Sequence, residues 1–223
     1  MAAVPSQKRL REVPSKQAAE LEDDVVHAEK HDYTKVLNEV EAHGKEPQNV
    51  VCTSNPEVAD EMIKKMRMKM GGMFDMIIGV DVEYTREDEP NQRAAVMQLC
   101  MEEMVLVFHI TAATKMPDWH DGFLKEKMYT FVGFDITRDK LMLKNSGLEI
   151  NPEKFINMQQ KWRHPYIDKP YESLADVPSM VVHPFYKHMK QKICRNKDHK
   201  LWGIAPLPDH LIQYAAINAY ATY

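Results

Sequence analysis

IIGVDVEYTRE, residues 77–87, opens as an apolar run and turns acidic at its fifth position. With the residues just before it, the run predicts a strand over 73–84. Side chains alternate across a strand, so Asp81 and Glu83, two apart, share one face. Two carboxylates side by side at the end of an apolar strand repel, and each raises the other's pKa unless a cation neutralises them. A divalent metal is the simplest neutraliser, and oxygen-only ligands favour Mg²⁺ or Mn²⁺. Taken alone, the same pair also suits the solvated margin of a loop.

Working outward, RAAVMQLCM (93–101) and MVLVFHI (104–110) read as two strands joined by Glu102-Glu103, close enough for an antiparallel hairpin. A short helix is expected within TAATKMPDWHDGFLKEK, and a strand in MYTFVGFDI (128–136). TRDKLMLKNSGLEI then predicts a helix stopped by Gly147 and a short strand. Upstream, NVVCTS predicts a first strand, and NPEVADEMIKKMRMKMGG a helix capped by Asn55 or Ser54, with Pro56 in its first turn and Gly71-Gly72 at its end. Val58, Met62, Met66 and Met70 recur every four residues, a buried stripe in preference to a partner groove. Helical runs are expected at Ser173–Lys192 and Pro208–Tyr223. This order of strands and helices indicates an α/β fold, a mixed sheet with helices on both faces.

The chain has 223 residues, room for one domain and a tail. With 44% hydrophobic and 28% charged residues, wholesale disorder, collagen-like repeats and a coiled-coil rod are excluded. Residues 1–45 are expected to form a flexible N-terminal tail, with a short helix around His31–Ala42 stopped by Gly44, and 46–223 the folded domain. Lys8, Arg9 and Arg11 make a short basic cluster, a weak nuclear address. No stretch reaches the roughly 18 apolar residues of a membrane span, and the N-terminus lacks the apolar core of a signal peptide. Cys52, Cys100 and Cys194 lie far apart, outside any CxxC pattern, and read as reduced thiols. A nuclear or cytoplasmic protein is expected, not a secreted one, with no membrane contact.

The formal charge of −4 does not announce a nucleic-acid binder. Locally, however, Lys187, Lys190, Lys192, Arg195, Lys197 and Lys200 face a single acid, Asp198, an excess of +5. Such a stripe attracts phosphates, and it also suits a solvated helix face. Phe185, Tyr186 and Trp202 nearby offer stacking surfaces or core. His109, His120, His164, His183 and His210 show no metal-ligand spacing and read as structural or surface residues.

Two further elements carry polar chemistry. Asp139, in GFDITRDKLML, starts a predicted helix after a strand, where the helix dipole also favours an ordinary aspartate; pattern alone does not choose between it and Asp135. In LIQYAAINAY, Tyr214 and Asn218 are four apart and so neighbours on one helix face.

Taken in order, IIGVDVEYTRE, QRAAVMQLCMEEMVLVFHI, YTFVGFDITRDKLMLKNSGLEI and LWGIAPLPDHLIQYAAINAYATY resemble the RNase H-like 3'-5' exonucleases with four acidic metal ligands and a helical tyrosine, the DEDDy class. The likeness is closest to the Werner-syndrome-type exonuclease domain and its small plant relatives, and it spans about residues 73 to 223. It implies an RNase H-like mixed sheet of five to six strands, two bound Mg²⁺ or Mn²⁺ ions, and DNA or RNA 3' ends as partners. By the resemblance, Asp81, Glu83 and Asp139 are metal ligands, Tyr214 orients the attacking water, and Trp202 packs beside the last helix.

The family has an aspartate where this chain has Asn218. An amide oxygen is a poorer ligand for a hard cation than a carboxylate. The chain therefore reads as a slow nuclease, a pseudo-enzyme or an engineered inactive form. A non-catalytic nucleic-acid or protein-binding module is the alternative, and a protein partner or homo-oligomer is a further expectation. Family members usually continue the last helix beyond the point matching Tyr223.

Overall fold

The computed structural model describes residues 30–44, 48–71, 76–86, 90–188 and 198–223. Seven strands form one sheet: β1 (Thr34–Val40), β2 (Gln48–Thr53), β3 (Met76–Tyr84), β4 (Ala94–Met101), β5 (Met104–His109), β6 (Tyr129–Gly133) and β7 (Phe155–Asn157). Their order is β1-β2-β5-β4-β3-β6-β7. The pairs β1–β2, β3–β4 and β4–β5 run antiparallel, and β2–β5, β3–β6 and β6–β7 parallel. The mixed α/β architecture is as expected, with seven strands instead of five or six.

The extra strand and the displaced one both have local reasons. The segment expected as a tail with a short helix is β1. Its β-branched Thr34, Val36 and Val40 favour extended backbone, and Tyr33, Lys35 and Leu37 alternate onto one half-buried face. Gly44, at φ 74°, does stop an element, but it closes a turn out of a strand. The short strand expected at Leu148–Ile150 forms instead at Phe155–Asn157, where residues 131–133 pair with it.

Helix α1 (Pro56–Met70) begins as its sequence indicates: the Asn55 side chain accepts from the Val58 N–H, and Pro56 fills the first turn. Met62, Met66 and Met70 are buried with Ile78, Val80, Met97, Leu99, Leu106 and Phe108, so the methionine stripe is core and not a partner groove. Lys69, in the last turn of α1, bridges Glu102 and Glu103 and offsets part of the charge of the two-acid hairpin turn, where Glu102 takes a φ of 51°.

Short helices α2 (Trp119–Gly122), α3 (Ile136–Asn145), α4 (Met158–Lys161) and α5 (Asp176–Val181) follow. The long run expected from Ser173 is broken at Pro184, whose ring disfavours helix in the residue before it; a separate 3-10 turn covers Pro184–His188. The last helix, α6 (Asp209–Thr222), lies across the opposite face of the sheet from α1 and α3. Leu211, Ile212, Ala215 and Ala219 of α6 pack with Val50, Cys52, Cys100, Val105, Val107 and Val132. Among the described residues, no helix is long and apolar enough to cross a membrane.

Candidate functional site

Two strands of unequal length open the site. β3 pairs with β6 only as far as Gly79–Val132, whereas its pairing with β4 runs on to Tyr84. Asp81, Val82, Glu83 and Tyr84 therefore project past the end of β6. The chain leaves β6 through Asp135, in the left-handed region at φ 50°, and α3 then swings back beside this overhang. The even residues Ile78, Val80 and Val82 join the α1 core, so Gly79, Asp81 and Glu83 face α6.

Gly79 is what lets α6 come this close. A Cβ there would lie 2.3 Å from the Ala219 carbonyl oxygen and 2.6 Å from the Tyr223 nitrogen, both backbone. Asn218, one residue before Ala219 and only 3% exposed, is thereby pressed against the acidic pair. Its Nδ2 donates to Asp81 Oδ2 at 3.1 Å and Glu83 Oε1 at 3.4 Å. Its Oδ1 is buried without a hydrogen-bond partner among the described residues. The amide thus presents a donor, and not a ligand oxygen, to the carboxylates.

Asp139 lies in the first turn of α3 and is 6% exposed, whereas Asp135 is exposed, so the geometry separates the two aspartates that pattern left level. Burial, and then the charge of Asp81, push the Asp139 carboxyl up to about 8; a hydrogen bond from the Tyr84 hydroxyl opposes them. The Tyr84 hydroxyl is itself pushed well above its ordinary value, by burial and by Asp139. Arg138 caps this pair, its guanidinium 5.1 Å from the Tyr84 ring centre.

Asp81, Glu83 and Asn218 are thus in direct contact, and Asp139 is near enough to Asp81 to feel its charge. They do not amount to a ready-made ion cage: among the described residues, no group of three or more His, Cys, Asp or Glu side chains is placed to hold a metal. Asn218 cross-links two carboxylates, and Tyr84 holds the third. Tyr214, one helical turn before Asn218, is buried, with its ring 6.1 Å from that of Trp202, which packs beside the last helix as expected.

Of the basic residues, Lys187 and Lys200 are exposed, and Lys187 lines a cleft of about 490 Å³ with His164, Lys169, Tyr171 and Met180. Lys190, Lys192, Arg195 and Lys197 lie outside the described residues, as do Cys194 and the basic cluster at 8–11. Cys52 and Cys100 are buried free thiols.

Two site residues escape a reading of the sequence. Tyr84 directly follows Glu83, and a tyrosine ending a strand carries no signal of a carboxylate partner. Gln98 stands opposite Asp81 on β4, fully buried, and both its amide atoms lack hydrogen-bond partners among the described residues. Only the strand register reveals it.

A family model described as 3'-5' exonuclease matches residues 55–223. No curated protein sequence matches the chain. Among solved structures, the chain is similar to the Nibbler EXO domain of Aedes aegypti, with a TM-score of 0.58 at 14% identity, covering 84% of this chain and 87% of that one. It is similar to Trypanosoma brucei RNase D in complex with RNA U12, with a TM-score of 0.50 at 18% identity over 75% of this chain and 59% of that one. For Escherichia coli RNase D, an exoribonuclease involved in structured RNA processing, the TM-score is 0.51 at 17% identity, over 73% and 40%. The chain therefore spans about half the length of the RNase D proteins it resembles.

Proposed function

Because the chain belongs to the 3'-5' exonuclease family, we propose that it engages DNA or RNA 3' ends and hydrolyses the terminal phosphodiester slowly, at a centre weakened by Asn218. The observation that carries this reading is the Asn218 amide turned nitrogen-first onto Asp81 and Glu83. An N–H group offsets carboxylate charge but has no lone pair for a cation.

The donor chemistry suits a hard divalent ion, Mg²⁺ or Mn²⁺. Asp81, Glu83 and Asp139 offer only oxygen, and Asn218 keeps a buried amide oxygen without a partner among the described residues. These four residues would hold the metal, Asn218 once its amide has turned. When bound, the metal supplies positive charge to the attacking water and the leaving 3' oxygen.

The chain's own groups do the positioning. Tyr214 orients the water through its hydroxyl. Tyr84 steadies Asp139, and Gly79 admits the helix that carries Tyr214 and Asn218. Lys187, Lys190, Lys192, Arg195, Lys197 and Lys200 would meet the phosphates, so binding should weaken with salt. In finer terms this is the tyrosine-bearing class nearest Werner-syndrome-type domains, supported by Tyr214 one helical turn ahead of Asn218. With one charge missing from the ligand set, turnover should fall on the order of 10²-fold below that of the Asn218→Asp variant.

The test incubates the protein with a labelled single strand and a recessed duplex, DNA and RNA, in Mn²⁺. Slow cleavage by the parent, lost in Asp81→Ala and accelerated in Asn218→Asp, is the expected result. One observation favours a second reading, a nucleic-acid-binding protein without turnover: the Asn218 amide donates to both carboxylates. Cleavage by the Asn218→Asp variant alone would support that reading, and silence from both would overturn the hydrolytic one.

A further inference from the structure

β1 precedes the family-matched residues, yet it touches the helix that completes the site. The contact is made at Leu207, just before α6. The Leu207 N–H donates to the Tyr33 hydroxyl at 3.2 Å, and its carbonyl accepts from Lys35 Nζ at 2.8 Å. The same ammonium reaches Asp209 Oδ1 at 2.9 Å, in the first turn of α6. The N-cap position of α6 is Pro208, which makes no side-chain cap hydrogen bond, and the grip is on the residue just before it.

The Tyr33 hydroxyl also meets His109 Nδ1 at 2.7 Å, and His109 Nε2 meets the Trp202 carbonyl at 3.0 Å. A carbonyl only accepts, so Nε2 carries the imidazole proton and Nδ1 accepts from Tyr33. The tyrosine oxygen is then left to accept from Leu207. The Tyr33 hydroxyl also lies 3.5 Å from Cys52 Sγ, and the relay ends on the backbone of Trp202, whose ring packs against Tyr214.

We propose that Tyr33 and Lys35 are positioning residues that fix α6, and with it Tyr214 and Asn218, through the backbone of Leu207. The clamp does not depend on the proposed hydrolysis; only its consequence for the metal rests on that reading.

The experiment is amide hydrogen exchange on the full chain, comparing the parent with Tyr33→Phe, Lys35→Ala and Lys35→Arg. Exchange across Leu211–Tyr214 should rise about tenfold in Tyr33→Phe and Lys35→Ala, with β4 within about twofold of the parent, and Lys35→Arg should restore most of the protection. Unchanged exchange in α6, or an equal rise in α6 and β4, would overturn the clamp. If Tyr33→Phe fails to fold, the Lys35 pair decides. As a second readout, Mn²⁺ affinity should fall several-fold in Lys35→Ala with circular dichroism unchanged. A parent that binds no Mn²⁺ would count against the proposed function, while the exchange data would still judge the clamp.

Discussion

On one face of β3, Ile78, Val80 and Val82 are buried among methionines, leucines and phenylalanines; on the other, Gly79, Asp81 and Glu83 meet α6. The apolar face is shape-filling, since Met66, Met97 and Phe108 need only volume and contact. The α6 face keeps polar groups at a cost. Asp81 and Glu83 share the one Asn218 amide, the charge of Asp81 helps to push the Asp139 carboxyl up to about 8, and the amides of Asn218 and Gln98 leave atoms without partners among the described residues. Both faces of the sheet are packed, but on the α6 side the apolar packing gives way to charge at Asp81 and Glu83.

The sharpest way to break this comparison is Gly79→Val. The new side chain collides with backbone on α6, so the helix must shift, at a cost on the order of 4 kcal/mol in urea unfolding. An unchanged midpoint would mean that α6 is not held this close. On the apolar face, Met66→Ala should destabilise by about 3 kcal/mol while leaving Mn²⁺ affinity as in the parent. A loss of metal binding there would erase the distinction between the faces.

The clamp at the start of α6 gives a pH signature of similar size. Burial holds His109 down at about 4, below its ordinary 6.5, so the folded protein keeps it neutral while the unfolded chain takes up a proton. Its contribution is complete above pH 6.5 and is lost as pH falls towards 4, about 3 kcal/mol in all. His109→Gln should flatten that part of the stability–pH curve; an identical slope would assign the titration elsewhere. The smallest expected effect is at the surface. Lys187→Ala and Lys200→Ala should each weaken binding of a labelled single strand by about 1 kcal/mol or less, and should reduce its salt dependence.

How much of this was legible follows from the kind of signal each residue carries. Continuous apolar runs make β3, β4 and β5 readable, and capping chemistry locates α1 to within a residue or two. Asp81 and Glu83 could be placed on one face because two-residue spacing in a strand is geometry. β1 is not legible, because Gly44 marks a stop without saying what it stops, and the alternation of Tyr33, Lys35 and Leu37 is half-buried and weak. Asp139 and Asp135 could not be separated by pattern, since the left-handed turn at Asp135 decides which one faces inward. Gln98, Tyr84 and the His109 relay depend on strand register and on contacts between residues far apart in the chain, which no local pattern encodes.

On the proposed reading, Asn218 presents a hydrogen-bond donor where a metal ligand would stand. Titration of Mn²⁺ into the parent and into Asn218→Asp, followed by water-proton relaxation, tests it without requiring turnover. Binding by the aspartate variant should be at least tenfold tighter, and lost when Asp81→Ala is added. Equal affinity in the parent and the aspartate variant would contradict it.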